Sequence, residues 1–336
     1  MGGLKEMTVN VEELQILLNL IDDEISVTYP FYKHFQLFTS KQSEDGYRLR
    51  ILQGEIDFEG QRSYFSFADE MPSYGDFIEC LMAAGFLNYE NIAEFEDAKK
   101  SYAGLRKSVL YSPDTNVLYH RFLTNSDIDL RDVLLVDTVR DEIEAALNFK
   151  YSPQQIAEMK RGVRYQPFLL DEFVNRRMKR SRLAYIALSE YRELRKYAVE
   201  IEGIETLTSD KETNDLIIVK TLRKFEKERA AMPILLTADR QMADLCEAEG
   251  VEYFHFKLPH AVTADFCDSS SMLRLIYNLS MVFGVIRLNS VVIFGEFKGK
   301  SGIDELKLRF LDDDLKQRFE KHLRICRRLM KLGIEA

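Results

Sequence analysis

The chain has 336 residues and a net charge of −9, with 46% hydrophobic and 30% charged residues. That is material for about two domains or one elaborated domain, with a core that needs no covalent staples. Cys80, Cys246, Cys267 and Cys326 are too far apart for a metal knuckle or an evident disulfide framework, and His34, His120, His255, His260 and His322 lack zinc-ligand spacing, while the acidic balance leaves any phosphate contacts to local basic clusters.

No cationic start leads into an apolar stretch, so a secretory signal is not expected and the cytoplasm is the expected compartment. The most apolar late run, Leu279 to Phe294, is broken by Arg287 and Asn289 and falls short of a bilayer span, so no membrane association is expected.

Along the chain, Asn10-Val11-Glu12-Glu13 predicts the start of an amphipathic helix carrying Leu14, Leu17, Leu18, Ile21 and Ile25. Tyr47-Arg48-Leu49-Arg50-Ile51-Leu52 and Glu55-Ile56-Asp57-Phe58 then alternate at period two. Tyr64-Phe65-Ser66-Phe67 follows a turn containing Gly60, which predicts a small antiparallel sheet. Its aromatics, Tyr47, Phe58, Tyr64, Phe65 and Phe67, suit core packing, or base stacking as on single-strand binding surfaces. Helices are expected from about Gly75 to Lys107.

Ser108-Val109-Leu110-Tyr111-Ser112-Pro113 reads as a strand stopped by proline, placing Asp114 just past its end. Val133-Leu134-Leu135-Val136 leads into a helix bearing Val139 and Glu142. Asp215 opens a helix with Leu216, Val219, Leu222 and Phe225, although Asp210 in Ser209-Asp210-Lys211-Glu212 is a rival for the same role. Pro233-Ile234-Leu235-Leu236-Thr237-Ala238 is a second apolar strand ended by Asp239 and followed by the helical pattern Met242, Leu245, Cys246. Open parallel sheets bind ligands at the carboxyl ends of their strands. Taken singly, Asp114 suits a helix cap, Glu142 a solvated first-turn acid and Asp239 a turn residue.

In this order, Asp114-Thr115-Asn116-Val117-Leu118, Val139-Arg140-Asp141-Glu142, Asn214-Asp215-Leu216-Ile217 and Leu235-Leu236-Thr237-Ala238-Asp239-Arg240 resemble the PIN-domain ribonucleases, relatives of the flap endonucleases; Gly250 in Ala248-Glu249-Gly250-Val251 matches a glycine before the last core strand. The resemblance covers about residues 108–257. It implies an α/β, three-layer PIN-like domain with a central parallel sheet, flanked by α+β accessory regions at residues 1–107 and 258–336. It further implies Asp114, Glu142, Asp215 and Asp239 as catalytic and metal-binding residues for Mg2+ or Mn2+, with Asn116 and Thr237 supporting them. Such carboxylates suit hard cations, which prefer oxygen donors, and a divalent ion serves phosphodiester hydrolysis by activating water and offsetting charge on the leaving oxygen. The implied activity is a metal-dependent nuclease with a nucleic-acid partner, RNA ahead of DNA. The alternatives are a non-catalytic PIN-fold RNA-binding or scaffold protein, and a structure-specific DNA nuclease.

A helical insertion of about residues 153–203, divided by Pro167, separates the second acid from the third. It carries Arg176, Arg177, Lys179, Arg180 and Arg182, read as nucleic-acid contacts because they fall inside the catalytic span; the insertion would equally suit a homodimer arm. The region after Pro259 predicts a helix at Met272 to Phe283, strands at Ser290 to Phe297 and Leu306 to Phe310, and a final helix from Asp312 to Leu332 on which Lys321, Arg324, Arg327, Arg328 and Lys331 read as a solvated face. The two flanks are expected to pack together as one accessory domain.

Overall fold

The computed structural model describes residues 6–21 and 24–333. The chain is α/β and divides into two compact units, one formed by Leu81–Asn148 with Leu183–Thr263, the other by the described residues up to Cys80, Phe149–Arg182 and those from Ala264 onward. Among the described residues, no helix is long and apolar enough to cross a membrane.

The first unit is built on parallel strands: β1 (Ser108–Pro113), β2 (Leu134–Val136), β3 (Val199–Ile201), β4 (Ala231–Thr237) and β5 (Glu252–His255). β1 pairs with β4 and β4 with β5, while β2 pairs with β3. A parallel bridge between Tyr111 and Val133 sets β2 beside β1, so the order is β3-β2-β1-β4-β5. The central strands read as unbroken apolar runs, as strands covered on both faces must: Ile234, Leu235 and Leu236 are fully buried.

Parallel neighbours need crossovers, and helices supply them: α1 (Thr115–Tyr119) after β1, α2 (Asp137–Ala146) after β2, α3 (Lys211–Glu228) before β4 and α4 (Arg240–Glu249) after it. Helix α4 ends on Gly250, whose φ of 69° is the left-handed stop that lets the chain turn into β5. The chain runs from β1 outward to β2 and β3 and then returns to β4 and β5 on the other side of β1, so the strand order switches between β1 and β4, where open parallel sheets bind their ligands.

The other unit is a single antiparallel sheet of eight strands. Their order is Glu6–Asn10, Glu305–Phe310, Val291–Phe294, Val285–Leu288, Glu24–Thr28, Gln36–Ser43, Gly46–Ile51 and Phe266–Cys267. Strands from both ends of the chain are interleaved in it, so the two flanks share one sheet. The buried helix Ser269–Phe283 packs on this sheet, and Gly295 is pressed so closely against it that a Cβ there would lie 2.2 Å from the Ser280 carbonyl oxygen.

Several expectations change. Ile25 lies on a strand, since the first helix is only Leu14–Leu20. Glu55-Ile56-Asp57-Phe58 opens a helix, Glu55–Arg62, because Asp57 accepts the Gly54 N–H at 2.8 Å and only Phe58 is buried while Ile56 is 87% exposed. Residues 64–67 form no strand. The insertion breaks at Gln166 and Asn175, both left-handed at φ 48° and 60°, giving a 3-10 turn, Pro167–Phe173, and then the helix Lys179–Leu194. The compact units are drawn differently from the expected regions: Phe149–Arg182, which takes in the first part of the insertion, falls in the flanks' unit, whereas 81–107 falls in the parallel-sheet unit. Buried aromatics decide the latter, for Phe95 packs against Tyr111, Phe122, Phe254 and Phe256.

Candidate active site

Asp114 follows β1 and caps α1; Asp239 follows β4 and caps α4. The strand ends are tied together, since the Asp114 N–H donates to the Leu236 carbonyl at 2.9 Å. One hydroxyl joins the two acids. Thr237 Oγ1 donates to Asp114 Oδ2 and accepts the Asp239 N–H at 2.9 Å. Asp114 Oδ1 accepts from the Asn116 N–H and Asp239 Oδ1 from the Gln241 N–H at 2.9 Å. Capping takes one oxygen of each aspartate, and the other is also engaged, Asp114 Oδ2 by the Thr237 hydroxyl and Asp239 Oδ2 by Lys211.

Glu142 stands on α2, where Thr115 Oγ1 donates to its Oε2 at 2.8 Å. Asp215 stands in the first turns of α3 and is buried. Asp210, the rival, is the cap of α3: its Oδ2 accepts the Thr213 N–H at 3.0 Å, and the residue is exposed. Asp215, unlike Asp210, feels the charges of the other three acids. Burial, then the charges of Glu142, Asp114 and Asp239, push its pKa up to about 7 against the pull of Lys211. Burial likewise lifts Asp114 to about 6, opposed by the Thr237 and Asn116 hydrogen bonds and assisted by Asp239. Glu142 is raised by burial, with Thr115 and Lys211 opposing.

Asp239 goes the other way. Burial works against its charge, but the Lys211 ammonium and the Gln241 N–H outweigh it and hold the carboxyl below the usual range. Lys211 Nζ pairs with Asp239 Oδ2 at 2.9 Å, and its own pKa is raised by that bond and by the charges of Asp239, Asp215 and Asp114.

The donor set is all oxygen, which fits a hard dication. The spacing does not yet fit: among the described residues, no group of three or more histidine, cysteine, aspartate or glutamate side chains is gathered to hold an ion. The cation serving the acids here is Lys211. Of the four acids only Asp215 borders a groove of about 540 Å³, whose lining also includes Asp210, Glu212, Thr213, Leu216, Gln241, Asp244 and Leu245.

Three contributing residues escape sequence reasoning. Thr115 and Asn214, whose amide also favours charged Glu142, sit beside acids already in view. Lys211 precedes Asp215 by four positions on α3, a spacing that puts both on one helical face. Of the supporting pair, Thr237 acts through its hydroxyl and Asn116 through its backbone N–H. His120 is buried, with Nδ1 2.7 Å from the Tyr89 hydroxyl, so it packs and contributes no ligand.

Three of the five residues in the basic cluster are taken up by the fold. The cluster belongs to the antiparallel unit, where Arg182 is 1% exposed, Arg176 pairs with buried Glu296 at 2.5 Å, and Lys179 pairs with Asp76 at 2.7 Å. Arg177 is half-buried, and Arg180, stacked 3.3 Å over the Phe149 ring, is the exposed member. A guanidinium without solvent access cannot meet a phosphate, which removes Arg182, and the ion pairs of Arg176 and Lys179 satisfy charges of the fold. Comparison with protein-family models finds no match for this chain, and comparison with curated proteins finds none either.

Proposed function

We propose that the parallel-sheet unit is a PIN-like nuclease domain that hydrolyses phosphodiester bonds, in RNA ahead of DNA, with Mg2+ or Mn2+. One observation carries this reading: Asp114 and Asp239, remote in sequence, leave the carboxyl ends of adjacent parallel strands and share the Thr237 hydroxyl. Asp215 is coupled to both by charge. Carboxylates crowded together at the mouth of a sheet cost stability unless a cation relieves them, and ligand-binding crevices of open parallel sheets lie at this position.

Asp114, Asp215 and Asp239 would hold the ion, with Lys211 swinging away; 66% of its side chain is exposed, so little packing restrains it. A bound dication would lower the pKa of the attacking water and offset charge on the leaving oxygen. Glu142 is the residue to accept the water's proton, because burial raises its carboxyl above the ordinary range. As the water oxygen bonds to phosphorus the P–O3′ bond would break, and O3′ would leave with the bonding pair and take up a proton from solvent, giving a 5′ phosphate and a 3′ hydroxyl. The test is hydrolysis of labelled single-stranded RNA with and without manganese, beside branched DNA, for the parent, Asp114→Asn and Asp239→Asn. The reading expects manganese-dependent cleavage that falls by orders of magnitude in both variants. Equal activity in all three proteins would remove it.

A second reading, a PIN-fold protein that binds RNA or a partner without turnover, is favoured by Lys211. Its charge already serves Asp239, and the acids are not gathered at ligand spacing. Absence of cleavage together with absence of divalent-ion binding would select this reading.

A further inference from the structure

The antiparallel unit carries a groove of about 320 Å³ that none of the preceding chemistry uses. Phe31, Lys33, Tyr64, Phe65, Arg164 and Tyr165 line it, with Gln61 and Gly162. No acid is among these lining residues. From these we infer that the groove binds single-stranded nucleic acid, taking one or two unpaired bases against Tyr64 and Tyr165 and the flanking phosphates on Lys33 and Arg164.

The first support is exposure without function in the fold. Tyr64 is 79% exposed and Tyr165 39%, although burying an aromatic ring is among the larger gains a core can make. Their groove-side neighbour Phe65 is anchored inward, stacked on buried Tyr32 at 5.9 Å between centroids, while Tyr32 donates to the Pro72 carbonyl at 2.9 Å. The result is a fixed apolar floor with accessible rings at its rim. Gly162 lets the two walls approach, since a Cβ there would fall 2.7 Å from the Phe67 ring.

Charge is the second support. Lys33 and Arg164 are exposed and make no ion pair among the described residues, in a chain whose net charge is −9; the nearby Arg62, by contrast, is taken up by Glu59 at 2.5 Å. Backbone strain is the third. Five non-glycine residues adopt positive φ among the described residues, and two of them, His34 and Gln166, both at 48°, directly follow Lys33 and Tyr165. Such conformations cost energy and persist where the surroundings hold them. Here they sit beside the charge and the ring that the groove offers.

Aromatic faces flanked by unpaired cations are the recognition chemistry of single strands, because every base has a face to stack and every link a phosphate. A duplex offers no free base face, and the volume, at the low end of the ~300–1,000 Å³ of small-ligand sites, admits a base or two and little more. This inference depends on the nuclease reading only for what the captured strand is for; the groove's chemistry stands on the antiparallel unit alone.

The test is fluorescence anisotropy of the full chain with a labelled single-stranded oligouridylate, its DNA counterpart and a duplex RNA, in EDTA so that turnover plays no part. The expected result is salt-dependent binding of single strands and much weaker binding of the duplex. Tyr64→Ala with Tyr165→Ala should weaken it by at least ~10-fold, while Tyr64→Phe with Tyr165→Phe should retain it, since stacking does not need the hydroxyls. Lys33→Gln with Arg164→Gln should make the log affinity against log salt slope shallower by about 1–1.5. Failure of the parent to bind any single strand, or unchanged binding by the alanine variant with an unaltered thermal melt, would overturn the inference. Tight binding to an acidic aromatic peptide with none to either oligonucleotide would overturn it too. Binding that survives while metal and cleavage assays fail would remove the nuclease reading and leave this one standing.

Discussion

Lys211 Nζ lies 2.9 Å from Asp239 Oδ2 and, from α3, sends its field to Asp215, Glu142 and Asp114 as well. It is the counterion of the acid group. Replacing it in Lys211→Met should therefore have opposite consequences with and without metal. Without metal the acids repel unrelieved, and because the lysine is largely exposed the loss should not exceed about 1 kcal/mol. With metal, a competitor is gone, and manganese affinity should rise several-fold by calorimetry. Unchanged affinity would mean that Lys211 and the ion do not share a site.

Thr237 Oγ1 donates to Asp114 and accepts from the Asp239 backbone, so it orients one acid and pins the start of the next helix. Thr237→Val keeps the shape and deletes both bonds. Loss of such a support commonly costs 10–100-fold in metal affinity or activity; manganese titration and RNA cleavage should each show a fall of about that size, with a melting temperature close to the parent's. A large stability loss with no change in metal response would assign the hydroxyl to the fold alone.

His120 gives the pH dependence a definite sign. Burial lowers its pKa from 6.5 to about 4 in the folded chain, so the native imidazole stays neutral where the unfolded one protonates. Stability from this residue is complete above pH 6.5 and is lost as the pH falls toward 4, at up to about 1.4 kcal/mol per pH unit. Urea denaturation at intervals across this window should show the decline, and His120→Gln should flatten it. An equal slope in parent and variant would contradict the assignment.

Arg176 separates structure from binding. Its partner Glu296 has no exposed side-chain surface and also feels the buried Lys300 charge, so Arg176→Ala removes one of its two counter-charges and should cost up to about 3 kcal/mol. Adding Glu296→Gln should restore much of that stability. If Arg176→Ala instead weakens nucleic-acid binding at unchanged stability, the side chain is a phosphate contact after all.

What could be read from the chain follows the physics of each element. Parallel strands covered on both faces must be apolar throughout, so Pro233 to Leu236 and Leu134 to Val136 announce themselves. The helix at Glu55 does not, because with one buried residue it carries no helical stripe, and a chance alternation of Ile56 and Phe58 imitates a strand. Nor does any local signal tell that Arg182 turns inward: the same basic run serves a surface or a buried network, and the choice is made by Tyr151, Val282 and Arg177, whose oxygens accept from its guanidinium across the sequence. Lys211 was hidden differently, since a lysine among acids looks like an ordinary solvated pair until the sheet brings Asp239 beside it.

Calorimetric titration of manganese into the full chain, beside Asp114→Asn and Asp239→Asn, tests the central claim most directly, because it asks only whether these carboxylates can hold a dication. The parent should bind with saturable heat at or below millimolar ion, and each variant should lose most of that heat while keeping its fold. No saturable heat in the parent, or the same isotherm in all three proteins, would contradict it.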